Sequence, residues 1–202
     1  MPNSPLFPTD LTDHFLIAMP SMDDDLFGGS LVYVCEHNDK GALGLIVNKI
    51  TDLTVQGLFD RLELPLPRPD LAQLPVLLGG PLHHDRGFVL HDTEPVQAET
   101  DPAELLAYAS SLHVSGGLVM TSSRDVMEAL SQGEGPRHAL LALGCASWDE
   151  GQLESELIAN AWLTVKADPT LLFHLPAPRR YAKAFELLGV QPRSIAPFIG
   201  HA

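Results

Sequence analysis

The sequence is short of the residues that would place it in several large functional classes. It has two cysteines, Cys35 and Cys145, in 202 residues. That is too few for a disulfide framework and points to a reducing compartment. Lys and Arg number 12 against 26 Asp and Glu, for a net charge of −14. A duplex-binding surface needs clustered cations to displace counterions from phosphates. Here the local basic cluster is Arg179, Arg180 and Lys183, so direct nucleic-acid binding is disfavoured. No apolar run approaches bilayer length, since the stretch at 14–19 stops at Pro20. The first 13 residues carry no Lys or Arg and lead into no signal-type apolar region. A cytoplasmic location without membrane attachment is expected.

Catalytic signatures are also lacking. There is no H-E-x-x-H and no paired C-x-x-C for a metal, no Gly-Lys-Ser/Thr ending for a phosphate loop, and no G-x-S-x-G nucleophile turn. No catalytic residue, metal ligand or cofactor is assigned on this basis.

What is present reads as one α/β domain over 1–202. Hydrophobic residues at 45% and charged residues at 19% suit a globular chain. Three prolines suggest a loosely held arm at 1–13. Strands are expected at 14–19, 30–36 and 42–48. In the second of these, Leu31, Tyr33 and Cys35 alternate with Val32 and Val34, so both faces are apolar and both should be buried. Further strands are expected at 76–78, 87–91, 96–100, 118–121, 137–144 and 162–165. Helices are expected at 21–27, 54–62, 102–110, 123–130, 149–160, 169–173 and 178–188. A strand-rich first half and an alternating second half predict a mixed sheet with helices packed on it. Gly44 inside a doubly buried hairpin suggests that the sheet curls into a partial barrel.

Four features could carry chemistry. On the helix at 149–160, Asp149, Gln152, Glu156 and Asn160 fall within about 80° of one another, forming a polar stripe. Cys145 is placed between a buried strand and that helix, opened by a capping box from Ser147 to Glu150, where a dipole would favour the thiolate. His83, His84, Asp85 and His91 form a conceivable ligand group. Gly79, Gly80 and Pro81 end a strand, with Arg86 and Gly87 opening the next, as a weak anion-turn pattern.

Three segments resemble the YqgE/AlgH proteins. They are Ser30–His37 with Gly41–Asn48, then Gly79-Gly80-Pro81 with Arg86–His91, then Trp148, Gly151–Glu154, Glu156, Asn160 and Trp162. The resemblance implies a compact α/β fold with a bifurcated, barrel-like sheet. It implies no established reaction. Some members are labelled transcriptional regulators of alginate synthesis, a role that the acidic charge balance would route through another protein. Cys145 and Ser147 stand where the family more typically has Tyr and Gly, which weakens a cysteine nucleophile. The expectation is a non-enzymatic binding or regulatory module acting through a protein or small-ligand partner. Its cleft would gather Asn48, Gly79, Gly80, Pro81, Arg86, Gly87, Gln152, Glu156 and Asn160. The alternative is a small-molecule hydrolase, with or without a metal, pairing Glu154 or Glu156 with His83 or His91.

Overall fold

A computed structural model of the chain describes residues 10–96, 103 and 107–189. The arm at 1–9, most of the expected strand at 96–100, and residues 102 and 104–106 of the expected helix at 102–110 lie outside them, while 107–110 form loop and turn rather than the end of that helix.

Strands β1 (His14–Ala18), β2 (Leu31–Asn38) and β3 (Gly41–Ile46) form an antiparallel meander. The two-parity patterning of β2 is realised. Leu31, Tyr33 and Cys35 enter one core cluster, and Val32 and Val34 enter a second on the opposite face. The register of β2 against β3 steps between Val34 and Glu36, so the bulge lies at Cys35. Gly44 instead marks a close approach, because a Cβ there would sit 2.8 Å from the Tyr33 carbonyl oxygen.

The chain then forms β4 (Ile50–Thr54), α1 (Val55–Arg61), α2 (Pro69–Ala72), β5 (Pro75–Leu78) and β6 (Leu82–His91). Next come β7 (Ser111–His113), β8 (Val119–Thr121), α3 (Arg124–Ser131) and β9 (Ala139–Asp149). The described chain closes with α4 (Gln152–Ile158), β10 (Trp162–Lys166), α5 (Pro169–His174) and α6 (Ala177–Leu187). Thr54 caps α1 as its position suggests, its hydroxyl accepting from Gly57 N–H at 3.1 Å. The ten strands run β10-β1-β2-β3-β9-β6-β8-β7, with β4 and β5 attached beside β9. All pairs are antiparallel except β5 with β9. The result is a curled mixed sheet, a half barrel with helices packed on both of its faces.

Strand β9 is the hub. Its first half, 139–145, pairs with β6, and its last four residues pair with β3. Gly79 occupies the fork between β9 and β3. Its N–H donates to Leu143 at 2.8 Å, and its carbonyl accepts from Ile46 N–H at 2.8 Å. The main chains are in contact here. A Cβ on Gly79 would lie 2.2 Å from the Gly144 oxygen, and one on Gly80 would lie 2.2 Å from the Cys145 carbonyl carbon. Gly144 itself takes φ +76°, a conformation that L side chains resist.

Several expectations are corrected. Residues 10–13 are tied down: Leu11 is fully buried and Asp13 N–H bonds to Val34 O at 2.9 Å. The segment 21–27 forms turns, capped by Asp24 through Leu26 and Phe27 N–H. Strand β9 continues to Asp149, so Ser147 lies inside a strand and caps nothing. Gly151 at φ +72° precedes α4. Cys145 is therefore a buried mid-strand residue, its thiol pKa raised by burial. Strands β4 and β7 have too little apolar alternation to be read from sequence.

Replacing Gly79 with Ala forces the fork open. Overpacking of this kind costs about 3 kcal/mol, so urea denaturation of Gly79→Ala should show a much lower midpoint, whereas Gly151→Ala, with open space at its Cβ, should lose less.

Candidate functional site

A cavity of about 820 Å³ opens where α2, β5, the start of β9, α5 and the first turn of α6 converge. Much of its wall is apolar, including Leu71, Leu77, Leu140 and Phe173. Set into that wall are three arginines and two histidines (Arg68, Arg137, Arg180, His138 and His174) against one carboxylate, Asp70. Among the described residues no Ser, Thr, Cys, Tyr or Lys lines it.

The arginines are held differently. Arg68 precedes α2 and is 6% exposed. Its Nε and Nη2 grip Asp70 at 3.0 and 2.7 Å, while Nη1 and Nη2 donate to the Pro136 and Arg137 carbonyls. The Arg68 hydrogen bonds hold the Asp70 carboxyl below its ordinary range, so this pair is closed on itself. Arg137 is half exposed, 3.5 Å from Glu94. Arg180, on α6, is 5% exposed. Its Nε donates to Leu175 O at 3.0 Å and its Nη1 to Val47 O at 2.6 Å. Among the described residues no carboxylate pairs with it and Nη2 has no hydrogen-bond partner. Burial pulls its pKa down to about 10. A buried cation satisfied by two carbonyls alone retains an uncompensated charge.

His138 adds an oriented imidazole. Its Nδ1 lies 2.6 Å from Asp92 Oδ2, and its ring packs on Phe173 and His174 at centroid distances of 5.5 and 5.1 Å. Asp92 also accepts, through its carbonyl, from Nδ1 of the fully buried His91 at 2.7 Å. Since a carbonyl can only accept, the His91 proton sits on Nδ1, and Nε2 accepts from the Thr121 hydroxyl at 3.0 Å.

The residues expected to share one cleft are divided. Asn48 spends both amide ends on the backbone, accepting from Leu31 N–H at 2.7 Å and donating to Gly29 O at 2.9 Å. Gly79 and Gly80 are filled by the main chain of β9, with Pro81 beside them. Arg86 is exposed, 6.0 Å from the Phe88 ring. Gly87 lines a second cavity of about 310 Å³ against α1 and α3.

The stripe on α4 closes on itself. Glu156 Oε2 accepts from both indole N–H groups, Trp148 at 2.9 Å and Trp162 at 2.7 Å, and Oε1 accepts from Gln152 at 2.9 Å. Gln152 returns its oxygen to Asp149 N–H. Phe27 packs on both indoles. Asn160, at φ +56°, follows the helix in a left-handed turn. This is a structural clamp: buried indoles need an acceptor, and Glu156 serves two.

The expected carboxylate–histidine pairings also rearrange. Glu154 bonds His37 at 2.8 Å, and the other His37 nitrogen accepts from Leu11 N–H. Glu156 goes to the tryptophans, His91 is enclosed, and His83 and His84 are exposed. Among the described residues, no three His, Cys, Asp or Glu side chains gather as a metal site would require.

A family model described as AlgH-like matches residues 15–193. The chain belongs to the AlgH-like family. UPF0301 proteins from Verminephrobacter eiseniae and Delftia acidovorans are each 53% identical to it, over 96% of this chain and 96% and 97% of theirs. The solution structure of AlgH from Pseudomonas aeruginosa superposes with a TM-score of 0.72 at 40% identity, covering all of both chains. A Corynebacterium diphtheriae protein shares the fold at 18% identity and TM-score 0.69, over 95% of this chain and 93% of that one. The AlgH likeness read from three sequence segments is thus established, and with it the curled sheet. No described helix is long and apolar enough to cross a membrane.

Arg180, read from sequence only as part of a basic cluster, and His138 were not expected at a site. One signal was available: on α6, Arg180 shares the face of Ala177, Ala184 and Phe185, all buried, so a cation stood on the apolar side of an amphipathic helix.

Two predictions test this local chemistry. Glu156→Ala strands two indole N–H groups and should cost roughly 3 kcal/mol, with a shift in tryptophan emission. His91 is held below its ordinary pKa of 6.5 by desolvation. The unfolded chain therefore takes up a proton that the folded one resists, and stability falls as pH drops through 6.5. His91→Gln should lose less stability than the parent protein between pH 7 and pH 5, read by urea midpoints.

Proposed function

We propose that this AlgH-like protein is a binding module whose ligand is a small molecule with an apolar body, seated in the cavity between α2, β9, α5 and α6. The observation that carries the reading is the cavity itself. Its volume of about 820 Å³ falls within the range of small-molecule sites, and its wall is apolar with a few fixed polar groups. Among the described residues its lining holds no hydroxyl, thiol or lysine amine, and its one carboxylate, Asp70, is gripped by Arg68, which favours binding over covalent catalysis. Regulation, the role attached to some family labels, would follow from occupancy through a partner and needs no direct contact with nucleic acid.

The hydrolase alternative now has a different centre from the one expected. The Asp92–His138 hydrogen bond at 2.6 Å orients an imidazole on the cavity wall, as general-base activation of water requires. Recovery of bound compounds unchanged in mass after prolonged incubation would count against it.

Binding is tested with a neutral solvatochromic dye, whose emission rises in an apolar pocket. Leu74, at the cavity, and Ile158, away from it, are both exposed apolar residues. Leu74→Glu should weaken dye binding about tenfold, on the scale of one buried leucine side chain, while Ile158→Glu leaves it unchanged. Equal loss in both variants would mean that the dye reads exposed surface, and the proposal would fall.

A further inference from the structure

We infer that the ligand of this cavity is an amphipathic carboxylate whose anionic head seats against Arg180, with its apolar body along the wall formed by Leu71, Leu77, Leu140 and Phe173. This rests on the reading of the cavity as a small-molecule site and adds the chemistry of what enters it.

Three observations converge. The first is the state of Arg180: 95% buried, tied by Nε and Nη1 to the Leu175 and Val47 carbonyls, with Nη2 unpartnered among the described residues. Those two bonds hold the guanidinium in place while leaving Nη2 to donate a charge-assisted hydrogen bond to a ligand oxygen. The second is charge contrast. The chain carries −14 overall, yet this wall sets three arginines and two histidines against the single carboxylate of Asp70. Arg68 already neutralises that carboxylate. Glu94 and Asp92 likewise answer Arg137 and His138, so Arg180 is the arginine of the wall left without a carboxylate among the described residues, and an anion would be held there. The third is the apolar remainder of the wall, which gives no hydrogen-bonding partner to a sugar or a nucleobase but suits a hydrocarbon or aromatic body. A phosphate ester would bring two charges to one unpaired guanidinium, so a singly charged carboxylate is the better match.

Buried arginines often serve only to hold a helix, and Arg180 does anchor α6 to the end of β3. A purely structural arginine, however, would leave an acid and a neutral analogue of equal length indistinguishable. The experiment therefore displaces the neutral dye from the intact protein with decanoate and with 1-decanol, both below their aggregation limits. The expected result is that decanoate displaces at least tenfold more strongly than decanol. That advantage should collapse to within about threefold in Arg180→Gln. If Arg180→Gln does not fold, the side-chain Nε–H resonance of Arg180 in ¹⁵N-labelled parent protein is the second readout. It should shift on adding decanoate and stay in place with decanol.

Equal displacement by acid and alcohol overturns the carboxylate assignment while the small-molecule cavity stands. Dye binding that neither compound reverses, or no dye binding at all, overturns the cavity reading and this inference together. An undiminished decanoate advantage in Arg180→Gln, or an unmoved resonance, removes Arg180 as the seat.

Discussion

The structure depends on one place where two main chains meet without side chains between them. Strand β9 must serve β5 at Ala142 and Leu143 and β3 over its last four residues, so its partner changes along its length. The solution is a fork, held open by the main chain of Gly79 and Gly80 and closed on the other side by Gly144 in a left-handed conformation. Three glycines make the approach possible because each would otherwise put a Cβ inside a neighbour's carbonyl. From that fork the two halves of the sheet diverge. One half buries both faces of β1–β3, under α4 on one side and α6 on the other. The other carries α1 and α3 over the third core cluster of Phe59, Val76 and Leu130.

Divergence leaves a gap that helices must bridge. The cavity lies where the two branches separate, roofed by α5 and α6 and floored by the start of β9. Two buried arginines stand at its edges because loop carbonyls there have lost their sheet partners. Val47 O, just past the end of β3, and Pro136 and Arg137 O, just before β9, each accept from a guanidinium. Buried carbonyls need donors, and a long forked cation reaches several at once. Arg68 brings its own counter-charge in Asp70. Arg180 has none among the described residues, and that difference separates a structural bracket from a bracket with an electrostatic demand left over.

Much of the fold was legible in the sequence, and the reason is local. The doubly apolar parity of Leu31 to Cys35, the cap at Thr54 and the glycine run at 79–80 all express short-range rules that the structure keeps. What was not legible depends on distant chain. Strand β4 has an exposed–intermediate pattern and exists because β5 pairs with it. Residues 145–149 read as a turn and a helix cap, because Gly144 suggests a break and Ser147 a start. Pairing with β3 over 146–149 overrides both, and Cys145, paired with Leu82 of β6, lies in the core. The stripe of Gln152, Glu156 and Asn160 has the period of a ligand-facing helix, but the two tryptophans that claim Glu156 sit on flanking strands, and only the fold brings their N–H groups to one oxygen.

The segments that carry the AlgH likeness are therefore architectural. Asn48 stitches a loop, Gly79 and Gly80 build the fork, and Glu156 with Trp148 and Trp162 locks α4 to β9 and β10. None of them lines the larger cavity, whose wall comes from positions 50, 68–77, 96, 137–140 and 173–180. A sequence signature marks what a fold cannot do without, and here that is the forked sheet. The same fork fixes where the branches separate and so where a hollow must form, while leaving the chemistry of its wall to residues outside the signature. Recognition of this chain from its motifs and recognition of its ligand are for that reason separate problems: the first is answered by backbone contacts between glycines, the second by a guanidinium that the fold buries and does not neutralise.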